Sequence, residues 1–164
     1  MKNVFGKLLP VALVIGLVGL LSARAGDEAK EPEHAIFTPA DLKWGPAPAS
    51  LPAGAQVAVL EGDPAKEGIF TMRAKLPAGY KVPPHRHPAL ERVTVISGTF
   101  NIGHGETFDQ SMGKALPAGS FVLMPSTDAH FAWSTEETIL QITCTGPWDV
   151  VYVNPKDDPR AKKQ

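Results

Sequence analysis

Residues 79–91 have the sequence GYKVPPHRHPALE, in which two histidines lie two positions apart and a glutamate closes the segment. Residues two apart in an extended chain project from the same face, so His85 and His87 can present their imidazoles side by side. The two prolines before His85 hold the approach to it in an extended conformation. Pro88 interrupts strand pairing just after His87, which is typical of a strand that ends near an opening. The segment therefore predicts paired imidazoles at the end of a β-strand.

A carboxylate and a third histidine extend this set. Glu91 begins the next predicted strand with the same parity as Val93, which points its side chain inward. An unpaired buried carboxylate is costly, and a divalent cation shared with the two imidazoles would cancel that cost. Residues 119–130 form a predicted strand, a Pro-containing turn and His130 at the start of another strand. If the two halves of the chain face each other across one barrel, His130 completes a set of three histidines and one glutamate.

These donors predict one divalent transition metal ion per chain, and Mn, Fe, Ni, Cu, Zn and Co all remain open. Four protein ligands leave two positions of a roughly octahedral ion free, which is typical of a reactive site rather than a structural one. The remaining positive charge favours anionic ligands. No second acid or base stands out in the predicted interior, so the catalytic base is either Glu91 or a hydroxide on the ion.

The rest of the chain reads as short strands, because alternating segments are separated by Gly, Pro or Asp and no helical period is present. Strands are predicted at residues 56–60, 68–76, 91–97, 99–103, 120–124, 129–134, 138–144 and 150–153. Such a pattern predicts a single all-β domain, a sandwich or a barrel. By strand parity, the predicted substrate contacts are Phe70, Met72, Phe100 and Ser134. Trp133 is predicted to face outward, and Trp148 to serve packing or an interface.

The N-terminus has the pattern of a secretory signal peptide. Two lysines precede an apolar run at residues 8–21, and small residues flank Arg24. The run is shorter than the ~20 residues of a membrane-spanning helix, so a retained anchor is the weaker alternative. We expect cleavage after Ala25, a periplasmic or secreted protein, and no membrane association afterwards.

Composition narrows the function classes. The 164 residues carry a formal net charge of −1, and removal of residues 1–25 would take away three basic residues and no acidic ones. A mildly acidic chain is not expected to bind nucleic acid. The single Cys144 cannot form an internal disulfide and is predicted to be a small buried hydrophobe.

Four segments are predicted along the chain. Residues 1–25 are the signal peptide, 26–55 an N-terminal arm, 56–154 the β-barrel domain and 155–164 a C-terminal tail. Within the arm, Thr38 is a predicted N-cap followed by at most one helical turn.

Two motifs make the chain resemble the cupin superfamily from near Gln56 to Asn154. Residues 79–98 match the first cupin motif, G-x5-HxH-x3-E-x6-G, at every defined position. Residues 119–134 match the second, G-x5-PxG-x2-H-x3-N, at three of its five positions. Thr127 stands where the family has Gly and Ser134 where it often has Asn, but neither departure removes a ligand.

Resemblance to a small exported cupin implies a double-stranded β-helix, or jelly-roll barrel, that is frequently a homodimer. It implies four metal ligands, which are His85, His87, Glu91 and His130. It also implies a metalloenzyme acting on a small molecule, with dioxygenase-like oxidation, isomerisation and lyase chemistry all open. The alternative is a non-catalytic exported protein that holds a metal or senses a ligand. The intact ligand set favours the enzyme, whereas the missing second acid or base favours the alternative.

Overall fold

The computed structural model describes residues 34–163, and the compact unit that contains the β-structure spans Ile36–Gln164. The predicted signal peptide, residues 1–25, and the first part of the predicted arm lie outside the described residues, so the segment boundaries stay predictions. No helix within residues 34–163 is long and apolar enough to cross a membrane.

The described residues form two antiparallel sheets and short 3-10 helices, which confirms the all-β prediction. The strands are β1 (Gly45–Pro46), β2 (Gln56–Glu61), β3 (Gly68–Leu76), β4 (Lys81–Arg86), β5 (Glu91–Ser97), β6 (Thr99–His104), β7 (Lys114–Pro117), β8 (Phe121–Met124), β9 (His130–Ser134), β10 (Thr138–Gly146) and β11 (Val151–Tyr152). The 3-10 helices are Pro39–Asp41, Gln110–Met112, Pro155–Asp157 and Pro159–Lys163.

The strand order assigns the two halves of the first motif to different sheets. One sheet has six strands in the order β1-β2-β3-β10-β5-β8, and the other has five in the order β11-β4-β9-β6-β7. The strand before the paired histidines, β4, therefore lies in the five-stranded sheet, whereas Glu91 begins β5 of the six-stranded sheet. The core fills the space between the sheets, because alternate side chains of β3, β5 and β10 are buried. Cys144 is a buried free thiol, as predicted.

Strand β4 ends beside the paired histidines, as predicted, although the sequence indicated only an extended approach to His85 and no bounds for the strand. Two prolines in its middle cannot donate to a ladder. The structure accommodates them with a register shift against β9 between Val82 and His85. The carbonyl of Pro84 still accepts a hydrogen bond from the amide of Val153, at 2.9 Å. Strand pairing therefore continues on both sides of prolines that a propensity argument treats as breakers.

Strand β9 is buried on both faces, which explains the position of Trp133. The indole of Trp133 lies on the opposite parity to His130, as predicted, but is only 8% exposed. The rings of Phe131 and Phe108 pack against it, with ring centroids 6.1 and 5.9 Å away. The connection after β6 thus covers this face, and outward parity does not mean contact with water.

The chain before β2 packs on the barrel. Thr38 caps the 3-10 helix Pro39–Asp41, as predicted, and its amide donates to the Asp41 carboxylate at 2.8 Å. Further along, the Ser50 carbonyl accepts a hydrogen bond from the Tyr152 hydroxyl at 2.8 Å. The Pro52 carbonyl accepts one from the Tyr80 hydroxyl at 2.6 Å. Residues 50–52 are therefore held against β11 and the residue that precedes β4.

Candidate metal centre

Three histidines meet at the end of the five-stranded sheet. His85 on β4 is the cross-strand partner of His130 on β9, and His87 follows β4 directly. One ring nitrogen from each histidine lies within 4.8 Å of the other two. The three residues are 4, 5 and 2% exposed in the order His85, His87, His130. The structure thus brings together the three imidazoles that the sequence predicted as ligands.

Each imidazole is oriented by a backbone carbonyl. The Nδ1 atoms of His85, His87 and His130 lie 2.7, 2.9 and 3.2 Å from the carbonyl oxygens of Pro83, Asp149 and Asp128 respectively. A carbonyl can only accept, so each neutral ring carries its proton on Nδ1. Each Nε2 is then left with a free lone pair, which is the form that binds a metal.

Burial keeps two of these histidines neutral. Desolvation is the main cause that lowers the pKa of His85 well below its ordinary value, and the neighbouring His130 and His87 add to it. Desolvation likewise lowers the pKa of His130 to about 4, with a further contribution from His87. A buried imidazolium has no counter-charge from the other imidazoles, so the neutral, metal-binding form is favoured.

The metal-free protein is expected to lose stability as the pH falls from about 6.5, the pKa of an unfolded histidine. Folded His130 takes up its proton only near a pKa of about 4. Between these values the unfolded chain binds more protons, so protonation favours unfolding. Urea unfolding of chelator-treated protein at several pH values measures this slope. His130→Leu should make the slope shallower, and identical slopes in the two proteins would contradict the assignment.

Glu91 lies beside the histidines, in the same buried space. It is 3% exposed, and its Oε2 lies 3.4 Å from Nε2 of His87. Its other oxygen accepts a hydrogen bond from the indole Nε1 of Trp148 at 2.7 Å. Among the described residues, the group whose donor atoms all lie within 4.8 Å of one another contains the three histidines without Glu91. Both predicted roles of Glu91, ligand and catalytic group, stay predictions.

Trp148 is a site residue that the sequence assigned only to packing or an interface. Its ring stacks on the imidazole of His87, with centroids 5.4 Å apart and an interplanar angle of 19°. The same side chain donates to Glu91, so it contacts both donors of the segment after β4. The one available signal was an indole shortly after the long strand β10. That signal is too weak to predict a contact with Glu91, which lies 57 residues earlier in the chain.

A cavity of about 50 Å³ opens beside the histidines. Its walls are mostly apolar and comprise Leu51, Ala74, Leu76, Val82, Val93, Phe100, Met124, Ala132, Leu140, Ile142 and Trp148, together with the three histidines and Glu91. A concave apolar space with a few convergent polar groups is the usual form of a small-molecule site.

The four predicted substrate contacts have different positions relative to this cavity. Phe100 is one of its walls. Phe70 and Met72 are fully buried in the first half of β3, whereas the second half of that strand lines the cavity. Ser134 is buried, and its hydroxyl donates to the Pro77 carbonyl at 2.7 Å. Strand parity identified the interior face but not the height along the barrel axis. Their role in substrate binding stays a prediction.

Comparison with known families agrees with this geometry. Residues 32–149 match the family described as the ChrR cupin-like domain. The chain belongs to this family of cupins. Germin-like protein 3-1 of Oryza sativa subsp. japonica is 28% identical to it over 81 residues, which are 49% of this chain and 36% of the germin-like protein. This cupin therefore spans only about a third of the length of that curated relative.

Solved structures share the fold of this cupin. The polyketide cyclase RemF from Streptomyces resistomycificus superposes with a TM-score of 0.60 at 14% identity, covering 77% of this chain and 90% of RemF. An acetylacetone dioxygenase from Acinetobacter johnsonii gives 0.58 at 18% identity, covering 77 and 81% of the two chains. At these identities the likeness establishes a cupin-type jelly roll and leaves the activity open.

Proposed function

We propose that this cupin is a metal-dependent enzyme that acts on a small molecule. The proposal is carried by one observation: three buried histidines, each with Nδ1 held by a carbonyl, have one ring nitrogen apiece within 4.8 Å of the other two beside an apolar cavity. Packing alone gives no reason to bury three neutral imidazoles in contact. A divalent cation does, because it uses the lone pairs that the carbonyls leave free.

The donor set fits one divalent transition metal ion, held by His85, His87 and His130 with Glu91 as the candidate fourth ligand. Such an ion, when bound, supplies Lewis acidity and, for a redox metal, the means to react with dioxygen. The chain provides the surroundings. Apolar walls exclude water and select a small ligand, and the indole of Trp148 holds one oxygen of Glu91 so that the other faces the histidines. A proton released by a substrate in the cavity would have that oxygen as its acceptor.

Dioxygenase-like oxidation is the reaction that we favour, with isomerase and lyase chemistry as related possibilities on the same site. The support is the shared fold with an enzyme that is named for acetylacetone, a small diketone, together with the mostly apolar walls of the cavity. A diketone also loses a proton readily to give an anion, which suits the positive charge that a metal would bring here.

Elemental analysis followed by oxygen-uptake assays tests the proposal. We expect about one transition metal ion per chain, and oxygen consumption with at least one compound from a panel of diketones, catechols and flavonols. Glu91→Gln should lower the rate by about 10²- to 10⁴-fold if Glu91 accepts a proton. Retained metal in that variant assigns Glu91 as a base, and reduced metal assigns it as a ligand. Purified protein without bound metal and without affinity for any ion of the series would contradict the proposal.

A non-catalytic metal-binding or ligand-sensing protein is the second candidate. It is favoured by the composition of the cavity, whose described walls contain one carboxylate and no lysine, tyrosine or further acid beside the histidines. Tight metal binding with no turnover across isomerase, lyase and oxidation assays would support it over the enzyme.

Export and self-association complete the proposal; the sequence supports the first, and membership of the cupins supports the second. We propose that residues 1–25 direct the chain to the periplasm or the outside of the cell and are removed after Ala25. We propose that the protein forms a homodimer, because cupins are frequently homodimers. The metal would then be acquired either before export or in the compartment where the mature protein resides.

A further inference from the structure

The C-terminal 3-10 helix Pro159–Lys163 contains Arg160, whose guanidinium contacts Asp149 and Val150 beside the candidate metal centre. Nη1 of Arg160 lies 3.0 Å from both carboxylate oxygens of Asp149, and its Nη2 donates to the Val150 carbonyl at 3.2 Å. Asp158 accepts from the same guanidinium, with Oδ1 2.9 Å from Nε and Oδ2 2.7 Å from Nη2. Every nitrogen of the guanidinium is therefore engaged, and three of its hydrogen bonds go to Asp149 and Val150 rather than within its own turn.

Asp149, which Arg160 contacts, is also the residue whose carbonyl orients His87. The backbone carbonyl of Asp149 accepts the Nδ1 proton of His87, at 2.9 Å, while the Asp149 carboxylate accepts from Arg160. The preceding residue, Trp148, stacks on His87 and donates to Glu91. A displacement of residues 148–149 would thus move the Asp149 carbonyl and the Trp148 indole relative to the His87 imidazole. It would also disturb the Glu91 carboxylate, which the indole holds.

His87 differs in this respect from the other two histidines. The carbonyls that hold His85 and His130 come from Pro83 and Asp128, each two residues away in the chain. Local strand geometry keeps those pairs together. The carbonyl that holds His87 is 62 residues away, so its position depends on what anchors that distant segment.

We propose that Arg160 is a positioning residue for the metal centre, acting on His87 through Asp149. The proposal rests on the metal-binding role proposed above. Isolated ion pairs at the surface contribute little to the free energy of unfolding, so Arg160 is not expected to control global stability. Its hydrogen bonds from Nη1 to the Asp149 carboxylate and from Nη2 to the Val150 carbonyl instead restrict the direction of the Asp149 carbonyl between them, which is a geometric effect on a ligand. Changes in outer partners of metal ligands weaken metal binding by about 10- to 100-fold.

Metal affinity and ligand geometry in Arg160→Gln provide the first test. Titration of the full purified chain with Co²⁺, in competition with a chelator, is expected to show about 10-fold weaker binding and an altered visible absorption spectrum. Arg160→Lys should recover part of the affinity, because an ammonium keeps the positive charge but lacks the separate nitrogens that contact Asp149 and Val150. Arg73→Gln is the matched control, since Arg73 contacts Gln141 on β10 at 3.4 Å and none of the three histidines. Unchanged affinity and spectrum in Arg160→Gln would overturn the proposal.

The second test does not require a metal. In the chelator-treated protein, the imidazole Nδ1 proton of His87 should exchange faster with water in Arg160→Gln, as measured by NMR, while those of His85 and His130 should not. A general loss of structure would change all three signals. If the wild-type protein binds no Co²⁺, the proposed function fails, and selective exchange at His87 still decides the role of Arg160. Equal exchange rates in the wild type and the variant would refute that role.

Discussion

Replacing His130 with alanine is expected to lower bound metal from about one ion per chain to near zero. The imidazole of His130 lies among those of His85 and His87, with donor atoms within 4.8 Å of each other. Two histidines and a carboxylate that is already bonded to an indole make a much poorer site than three converging imidazoles. Elemental analysis of protein purified without added metal measures the change, and His85→Ala removes a different donor to the same effect.

His104→Ala is the control for this prediction. His104 is the cross-strand partner of His130 on β6, yet its side chain is exposed. It therefore matches His130 in residue type and lies on the same side of the sheet, but it is exposed and does not belong to the group of three histidines whose donor atoms converge. Metal content should be unchanged in this variant. Wild-type metal content in both His130→Ala and His85→Ala, with thermal melts that show folded protein, would contradict the assignment of the centre.

Replacing Gly98 with alanine is expected to lower the free energy of unfolding by about 3 kcal/mol. Gly98 has a φ of 73°, which costs an L-residue about 1–2 kcal/mol. A Cβ at this position would also lie 2.5 Å from the carbonyl oxygen of Glu137 and 2.8 Å from Oγ1 of Thr138. These atoms belong to the backbone and to a buried side chain, so relief requires a shift of the β5–β6 turn against β10. Urea unfolding, with the midpoint and slope fitted together, measures the loss.

Gly79→Ala separates the two causes. Gly79 has a φ of 76°, nearly that of Gly98, but a Cβ there would meet no heavy atom within 4 Å. Only the conformational cost applies, so we expect a loss of about 1–2 kcal/mol. Both glycines are defined positions of the first motif, and the comparison shows which of them the packing requires. Equal losses in the two variants would show that the close approach of Glu137 carries no cost.

The sequence was most informative where the two-residue alternation of side chains along a strand determines the structure. Alternation along residues 68–76 predicted β3 with its observed bounds, Gly68–Leu76, and the bounds of β5 were predicted equally well. The spacing of His85 and His87 predicted two imidazoles on one side, and both are buried at the centre. Each of these features depends on side chains pointing to opposite faces at successive positions, which is a property of the extended backbone itself.

Strand propensity and parity did not show which neighbouring segments a residue would contact. The prolines of β4 are tolerated because pairing with β9 shifts register beside them, and only the partner strand reveals that. Trp133 has the outward parity that was predicted but is covered by the connection that carries Phe108. Phe100 lines the cavity, whereas Phe70 on the same interior side does not. The alternation of side chains along a strand predicts which face each side chain occupies, but it does not predict which segments cover that face.

Local chemistry in the chain was enough to name the histidine donors and to predict strands on which neighbouring imidazoles share a side. It was not enough to show that Asp149 supplies the carbonyl for His87, that Trp148 donates a hydrogen bond to Glu91, or that Arg160 contacts the Asp149 carboxylate. Those contacts join parts of the chain far apart in sequence, and they form only once strand pairing and the turn after β11 have set their distances. Backbone alternation is dictated residue by residue, whereas the orientation of an imidazole against a remote carbonyl depends on how whole strands register in the folded barrel.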